Sequence, residues 1–167
     1  MALPFLTPFT NWLAATPLST MMGDVSWIIP TVQSAHIMAI AVVAGSALMV
    51  DLRLLGAFGE GESIPAFARR YLPWLWWALL GLLLTGVLMI AGEPHRALQT
   101  TTFVLKMALV LVAAALTALI QLPLKADAWF WQDRKTLGRL LAVASLCVWT
   151  AIVFCGRWIA YSQNVQP

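Results

Sequence analysis

The chain has 167 residues, of which 61% are hydrophobic and only 10% are charged, and its formal net charge is +3. Soluble domains carry about 25% charged residues, so a chain this poor in charge cannot cover its surface in water. The composition therefore predicts an integral membrane protein. The basic residues form no continuous run, which argues against nucleic acid as a partner.

Residues 1–24 contain no Lys or Arg, and prolines interrupt them too often for a membrane span. Phe5, Phe9, Trp12 and Leu13 recur at about helical spacing. This pattern predicts a short helix at the outer surface, lying on the bundle or among the lipid headgroups. Without a basic start, the segment is not typical of a cleavable signal peptide.

Four apolar stretches follow, each long enough to cross a hydrocarbon core of roughly 30 Å. They are continuous rather than alternating, which favours helices over strands. Their short connectors favour antiparallel neighbours, so we expect one all-α transmembrane domain over residues 1–167, an up-down four-helix bundle. The predicted spans are residues 27–50, 73–91, 102–122 and 140–161.

Lys and Arg are distributed unevenly between the two sides of the predicted bundle. Loops on the cytoplasmic side of a membrane carry an excess of these residues. We therefore expect the first and third connectors to be cytoplasmic and both termini to lie on the opposite side. The first and third connectors hold seven, Arg53, Arg69, Arg70, Lys125, Arg134, Lys135 and Arg139, and the other side holds two, Arg96 and Arg157.

His36 lies well inside the first apolar stretch, roughly 14 Å from Trp27 along a helix and hence near the membrane midplane. An imidazole at that depth has to face the bundle interior or a wet cavity and find a partner there. Gln33 is one turn away on the same helix face. Ala41 and Gly45 form a small-residue pair that would let another helix approach closely.

Several roles are open for His36. It could be a structural histidine bonded to Gln33 or another helix, an axial ligand of haem iron, a copper ligand or a proton relay. Lys106 and Arg157 lie roughly 6 Å inside the outer ends of the third and fourth spans. Each could extend its charge to the headgroups. If they converge with His36 instead, iron would bind the imidazole and haem propionates the two cations. The same two cations would also suit a plain organic anion.

The remaining charged and polar residues suggest simpler roles. Asp51 and Arg53 follow the first apolar stretch, and we expect an exposed pair between them or with Arg69 and Arg70, worth little in stability. Asp51 could also cap or pin the segment that follows it. His95 is expected to be a solvated loop residue.

The chain contains no nucleophile motif, phosphate-binding loop, CxxC, HExxH or pair of intramembrane carboxylates. Hydrolytic chemistry is therefore not predicted, and whether the protein is an enzyme stays open. Cys147 and Cys155 are eight residues apart in one apolar stretch, where isolated thiols usually serve as small packing residues.

Three segments together resemble an uncharacterised family of bacterial four-helix inner-membrane proteins. They are His36 with the following GSALMVDLRLLG, the start of the third span, FVLKMALV, and the end of the fourth, FCGRWIAY. The resemblance covers residues 12–161 and implies a bacterial inner-membrane location, in which the Lys and Arg bias would make both termini periplasmic. It implies a topology but no activity.

More remotely, the layout is similar to the CopD copper-resistance family and to HemJ-type protoporphyrinogen oxidases. Those families also begin a bundle with an early intramembrane histidine, and HemJ-type proteins hold haem b through it. The resemblance implies that His36 is the ligand and Lys106 the partner lysine. The lysine-bearing span departs from the HemJ pattern by ending in Ile-Gln-Leu at residues 120–122.

We therefore expect a membrane bundle that holds a redox or metal centre. This centre would be haem b on His36, with copper as the alternative. Lys106, Arg157 and Gln33 would complete the site, and a membrane redox partner or a second copy of the chain would join it in the bilayer. The competing hypothesis is a non-enzymatic protein that transports a small solute or ion, or anchors a partner. In that case His36 is structural.

Overall fold

The computed structural model describes residues 6–59, 61–98 and 101–161. Within these ranges the chain forms helices joined by short turns, with no strand. The helices are α1 (Thr7–Ala14), α2 (Pro17–Asp24), α3 (Ile28–Leu55), α4 (Ile64–Gly92), α5 (Pro94–Leu98), α6 (Thr101–Ala126), α7 (Phe130–Asp133) and α8 (Lys135–Tyr161).

Four of these helices, α3, α4, α6 and α8, are long and apolar enough to cross a membrane. The shortest, α6, has 26 residues, and at the helical rise per residue this is about 39 Å, longer than a hydrocarbon core of roughly 30 Å. Large apolar side chains on all four remain exposed, among them Met38, Leu83, Leu111 and Phe154. Such side chains are stable on an outer surface that faces hydrocarbon. The predicted all-α membrane bundle is confirmed.

The long helices extend beyond the apolar stretches from which they were predicted. Helix α4 begins at Ile64 rather than near residue 73, because its first turn carries its own start signals. The Ser63 side chain accepts a hydrogen bond from the Ala66 amide at 3.4 Å, and Pro65 occupies the first turn. Pro73 therefore lies inside the helix rather than at its start.

The long helices pack unevenly along their length. Helix α3 lies against α4 and α8, and α6 lies mainly against α8. We call the end with the α3–α4 and α6–α8 connections the loop end, and the other, where α1, α2 and α5 lie, the terminal end. Buried side chains concentrate towards the loop end: Val43, Val50, Leu72, Leu75, Ala113, Ile120, Ala142 and Trp149.

Two short helices cover the terminal end, where the sequence predicted one. A new helix begins at Pro17, because the Thr16 side chain accepts a hydrogen bond from the Ser19 amide and caps the start of α2. Met22 of α2 is buried, and its Cε lies 3.2 Å from the position a Cβ on Gly92 would occupy. The segment is thus packed onto the end of α4.

The α3–α4 turn depends on two glycines with left-handed backbone. Gly56 ends α3 with φ 77°, and the amide of Ala57 donates to the carbonyl of Leu52 at 3.0 Å, which satisfies an otherwise unpaired helix-terminal carbonyl. Gly59 has φ 74°. A Cβ on Gly59 would stand 2.8 Å from Cε2 of Phe67.

We expect Gly59→Ala to lower the free energy of unfolding by about 1–2 kcal/mol for the left-handed backbone alone. The contact with Phe67 adds to this loss. Gly61→Ala is the matched control, because no atom of the described chain, its sequence neighbours aside, lies within 4 Å of its added Cβ. Thermal unfolding of both variants in detergent measures the difference, and equal stabilities would contradict the turn geometry.

Candidate functional site

The His36 ring lies between α3 and α4, half-buried in the terminal half of the bundle. Its Nδ1 atom is 2.7 Å from Oγ1 of Thr85 on α4. The ring also lies against the backbone of the next residue, because a Cβ on Gly86 would stand 3.7 Å from Cε1 of His36. An imidazole in a hydrocarbon layer has therefore found its hydrogen-bond partner on the neighbouring helix.

The hydrogen bonds of Thr85 determine which imidazole nitrogen carries the proton. The Thr85 hydroxyl donates its single hydrogen to the backbone carbonyl of Gly81, at 2.7 Å. With that hydrogen directed at Gly81, we assign Nδ1 of His36 as the donor in its contact with Thr85. In the neutral ring this leaves the lone pair of Nε2 unprotonated and available as an acceptor or a metal ligand.

Lys106 brings a positive charge to the same region from α6. Its side chain is half-buried and interacts electrostatically with His36. The ammonium nitrogen reaches helix α8, where it lies 3.7 Å from the position that a Cβ on Gly156 would take. Lys106 also interacts with the neighbouring Cys155. The four long helices thus contribute His36, Thr85, Lys106 and Gly156 to one region.

The other predicted site residues lie at the edge of this region. Arg157 directly follows Gly156 on α8, with its side chain exposed. Gln33 is half-buried, one turn before His36 on α3, and the bond partner of Nδ1 is Thr85 rather than Gln33.

The close helix approach that we predicted at Ala41 and Gly45 occurs elsewhere on α3. Ala41 is exposed, and nothing in the described chain lies within 4 Å of a Cβ placed on Gly45. Close approach occurs instead where Ala39 of α3 meets Gly81 of α4, with a Cβ on Gly81 lying 4.0 Å from that of Ala39.

The terminal half around His36 is packed less tightly than the loop-end half. No described residue of α3 before Val43, of α6 before Ala113 or of α8 after Ile152 is fully buried. Helix α4 has no fully buried residue between Leu75 and Ala91. The interior faces at the level of His36 and Lys106 are therefore only half covered by the chain itself.

The expectation of an exposed Asp51 is wrong. Asp51 lies inside α3 with 1% of its surface exposed, because the helix continues to Leu55 and turns this residue towards α8. Arg53 donates instead to the backbone carbonyl of Glu62, through Nε at 3.0 Å and Nη2 at 2.7 Å. Arg70 forms an exposed ion pair with the Glu62 carboxylate at 3.0 Å.

Thr85 and the buried position of Asp51 were both missed by sequence reasoning. Thr85 stands out as a polar residue next to Gly86 in an otherwise apolar segment, so a search for such residues would have found it.

His95 lies in the short helix α5 and is exposed. Across the described residues no group of three His, Cys, Asp or Glu side chains could hold a metal ion.

We expect imidazole nitrogen NMR of the purified protein at neutral pH to show His36 protonated on Nδ1. Thr85→Val removes the acceptor and should abolish this preference, with a loss of about 1 kcal/mol in the free energy of unfolding. Thr85→Ser keeps a hydroxyl and should keep the tautomer, and the exposed His95 is an internal reference. A His36 ring that stays protonated on Nδ1 in Thr85→Val would contradict the assigned bond.

Comparison with known proteins identifies the family of this chain. A family model described as "Family of unknown function (DUF6644)" matches residues 9–162. Searches of curated proteins and of solved structures returned no significant match. The remote similarity to CopD and HemJ-type proteins is therefore not shown, whereas membership of an uncharacterised family is confirmed. With nearly its whole length matched, the chain belongs to this family of unknown function.

Proposed function

We propose that this membrane protein carries a redox cofactor, haem b, on Nε2 of His36. The observation that supports this most is the His36–Thr85 hydrogen bond at 2.7 Å. Metal-binding histidines almost always donate their second ring N–H to a neighbouring acceptor, which orients the ring and presents the other nitrogen. Thr85 is positioned to play this role for His36.

The donor set favours haem over a bare metal ion such as copper. A bare ion needs several protein ligands, and the described residues hold no group of three His, Cys, Asp or Glu side chains that could bind one. A single imidazole is enough for haem, because the porphyrin supplies the equatorial nitrogens of the iron. Haem bound here would supply one-electron chemistry.

The cations and the open packing fit the same proposal. Lys106 reaches the region of His36 from α6, where its ammonium can pair with a propionate carboxylate. Arg157 and Gln33 border the region and are proposed to contact the cofactor's edge. The half-covered interior faces of the terminal half supply apolar surface for the macrocycle.

A second candidate function also has an observation in its favour. The bond to Thr85 already satisfies one ring nitrogen of His36, so the histidine can serve as a structural link between α3 and α4. The half-covered faces would then bind a partner subunit or a second copy of the chain, and Lys106 would extend to the headgroups. The protein would be a transporter or an anchor rather than a redox protein.

Optical spectra of the purified protein, oxidised and reduced, separate the two functions. We expect a Soret band that is absent in His36→Ala and unchanged in the matched control His95→Ala. Lys106→Gln should keep the band but lower the midpoint potential, because a cation near the iron favours the reduced state. Lys125→Gln, an exposed lysine of the same helix, should leave the potential unchanged.

Two results would overturn the haem proposal. One is a protein that stays colourless after haem is supplied during expression and purification. The other is a Soret band of equal intensity in His36→Ala and the parent chain. Either result, with Thr85→Val still destabilised, would support the structural role of His36.

We further propose that the protein resides in a bacterial inner membrane with both termini on the periplasmic side. Most of the Lys and Arg residues cluster at the loop end, and this excess marks the cytoplasmic side. A reporter that is active only in the periplasm should work when fused to the C-terminus and fail when fused into the α3–α4 connection. The reverse pattern would invert the topology.

A further inference from the structure

A second polar region lies in the loop-end half of the bundle, apart from the region around His36. The Asp51 side chain is 1% exposed and lines a cavity of about 10 Å³ between the long helices. Thr117 of α6 and Ser145 of α8 supply hydroxyl groups to this lining, and the other lining residues are apolar. A cavity of this size is close to the space that one water molecule requires.

The carboxyl of Asp51 is only partly satisfied by its neighbours. The hydroxyl of Ser145 forms a hydrogen bond with it. Its second oxygen, Oδ2, is buried and has no hydrogen-bond partner among the described residues. The Thr117 hydroxyl donates to the carbonyl of Ala113 at 2.9 Å, so its hydrogen is not available to Asp51.

No cation neutralises Asp51 in the described part of the chain. Arg53, on the same helix, donates to Glu62, and the ion pair of that region joins Arg70 to Glu62. Tyr71 of α4 packs on Phe67. The charged groups at the loop end of the elements around Asp51 have exposed side chains: Arg69 and Arg70 on α4, Lys125 on α6, Asp133 on α7, Arg134 after it, and Lys135 and Arg139 on α8. Lys106, which is half-buried, is eleven residues from Thr117 along α6, towards the terminal end.

A carboxylate without a cation is very unfavourable in a low-dielectric interior, and such a group takes up a proton instead. A metal cation would need more oxygen ligands than one carboxyl and two hydroxyls, one of which already donates to the backbone. The neutral acid needs only what is present, because its hydroxyl hydrogen can be donated to Ser145 or to one water in the cavity.

We propose that Asp51 is a proton-binding site of this protein, with the neutral carboxyl hydrogen-bonded to Ser145 beside a cavity that admits one water. Asp51 is about one helical turn from the end of α3 at Leu55. The proton therefore exchanges with the loop-end side of the membrane. This site requires no cofactor and does not depend on the function proposed for His36.

Infrared spectroscopy of the full chain reconstituted in lipid tests this site directly. The difference spectrum between the parent chain and Asp51→Asn at neutral pH should contain the C=O stretch of a protonated carboxyl, shifted to lower frequency in D2O. Ser145→Ala should shift the frequency of this band without removing it, because the hydrogen bond is lost and the proton stays. Asp127→Asn, an exposed aspartate, should leave the band unchanged.

Three outcomes would overturn the proposal. The first is that no band at neutral pH depends on Asp51. The second is that the band disappears on adding Na⁺ at constant pH, which would make the site a cation site. The third is that Ser145→Ala leaves the frequency unchanged. If Asp51→Asn does not fold, isotope-labelled aspartate in the parent chain identifies the band, and the Ser145→Ala shift assigns it.

Discussion

Hydrocarbon offers no hydrogen-bond partner, and this constraint explains where the polar residues of the four long helices lie. The backbone groups form their hydrogen bonds within each helix, so only a few polar side chains still need a hydrogen-bond partner. His36 finds one in Thr85 on the next helix. Trp76 finds one by donating from Nε1 to Oε1 of Gln121 on α6, at 2.8 Å. Interhelical hydrogen bonds therefore join helices that apolar packing alone would leave free to slide.

The polar residues occupy two levels on the same interior faces of the bundle. Lys106 and Thr117 are eleven residues apart on α6, and Ser145 and Gly156 are eleven apart on α8. Eleven residues make about three helical turns, so each pair shares one face and is separated by roughly 16 Å. The bundle thus presents an upper level at Lys106 and Gly156 and a lower level at Thr117 and Ser145.

The two levels differ in how the surrounding helices pack. At the lower level Leu75 and Ala142 are fully buried, and the cavity beside Asp51 is close to the size of one water molecule. At the upper level the interior side chains are only half covered. A tightly packed half can hold the helices in place, whereas a half-covered region leaves surface for a ligand or a partner. This division is the physical basis for proposing a cofactor at one level and a bound proton at the other.

Much of this architecture could be predicted without the structure. Composition and continuous apolar runs are sufficient to predict the four membrane helices, because a helix that crosses hydrocarbon must be both long and apolar. That His36 and Lys106 lie inside long apolar helices follows from counting residues along the predicted spans. The start of α4 at Ile64 was harder to predict, since Pro73 resembled a helix start and the capping role of Ser63 depends on a local hydrogen bond.

The sequence by itself determined the membrane class, the number of long helices and the presence of an intramembrane histidine. Only the tertiary structure decided the partners, because a contact between helices depends on their rotation and relative height, and neither is encoded in one helix's periodicity. Thus Gln33 and Thr85 were both available to His36, and the packing of α3 on α4 selected Thr85. The packing of α3 on α8 enclosed Asp51 beside Ser145, although its sequence neighbours suggested an exposed ion pair.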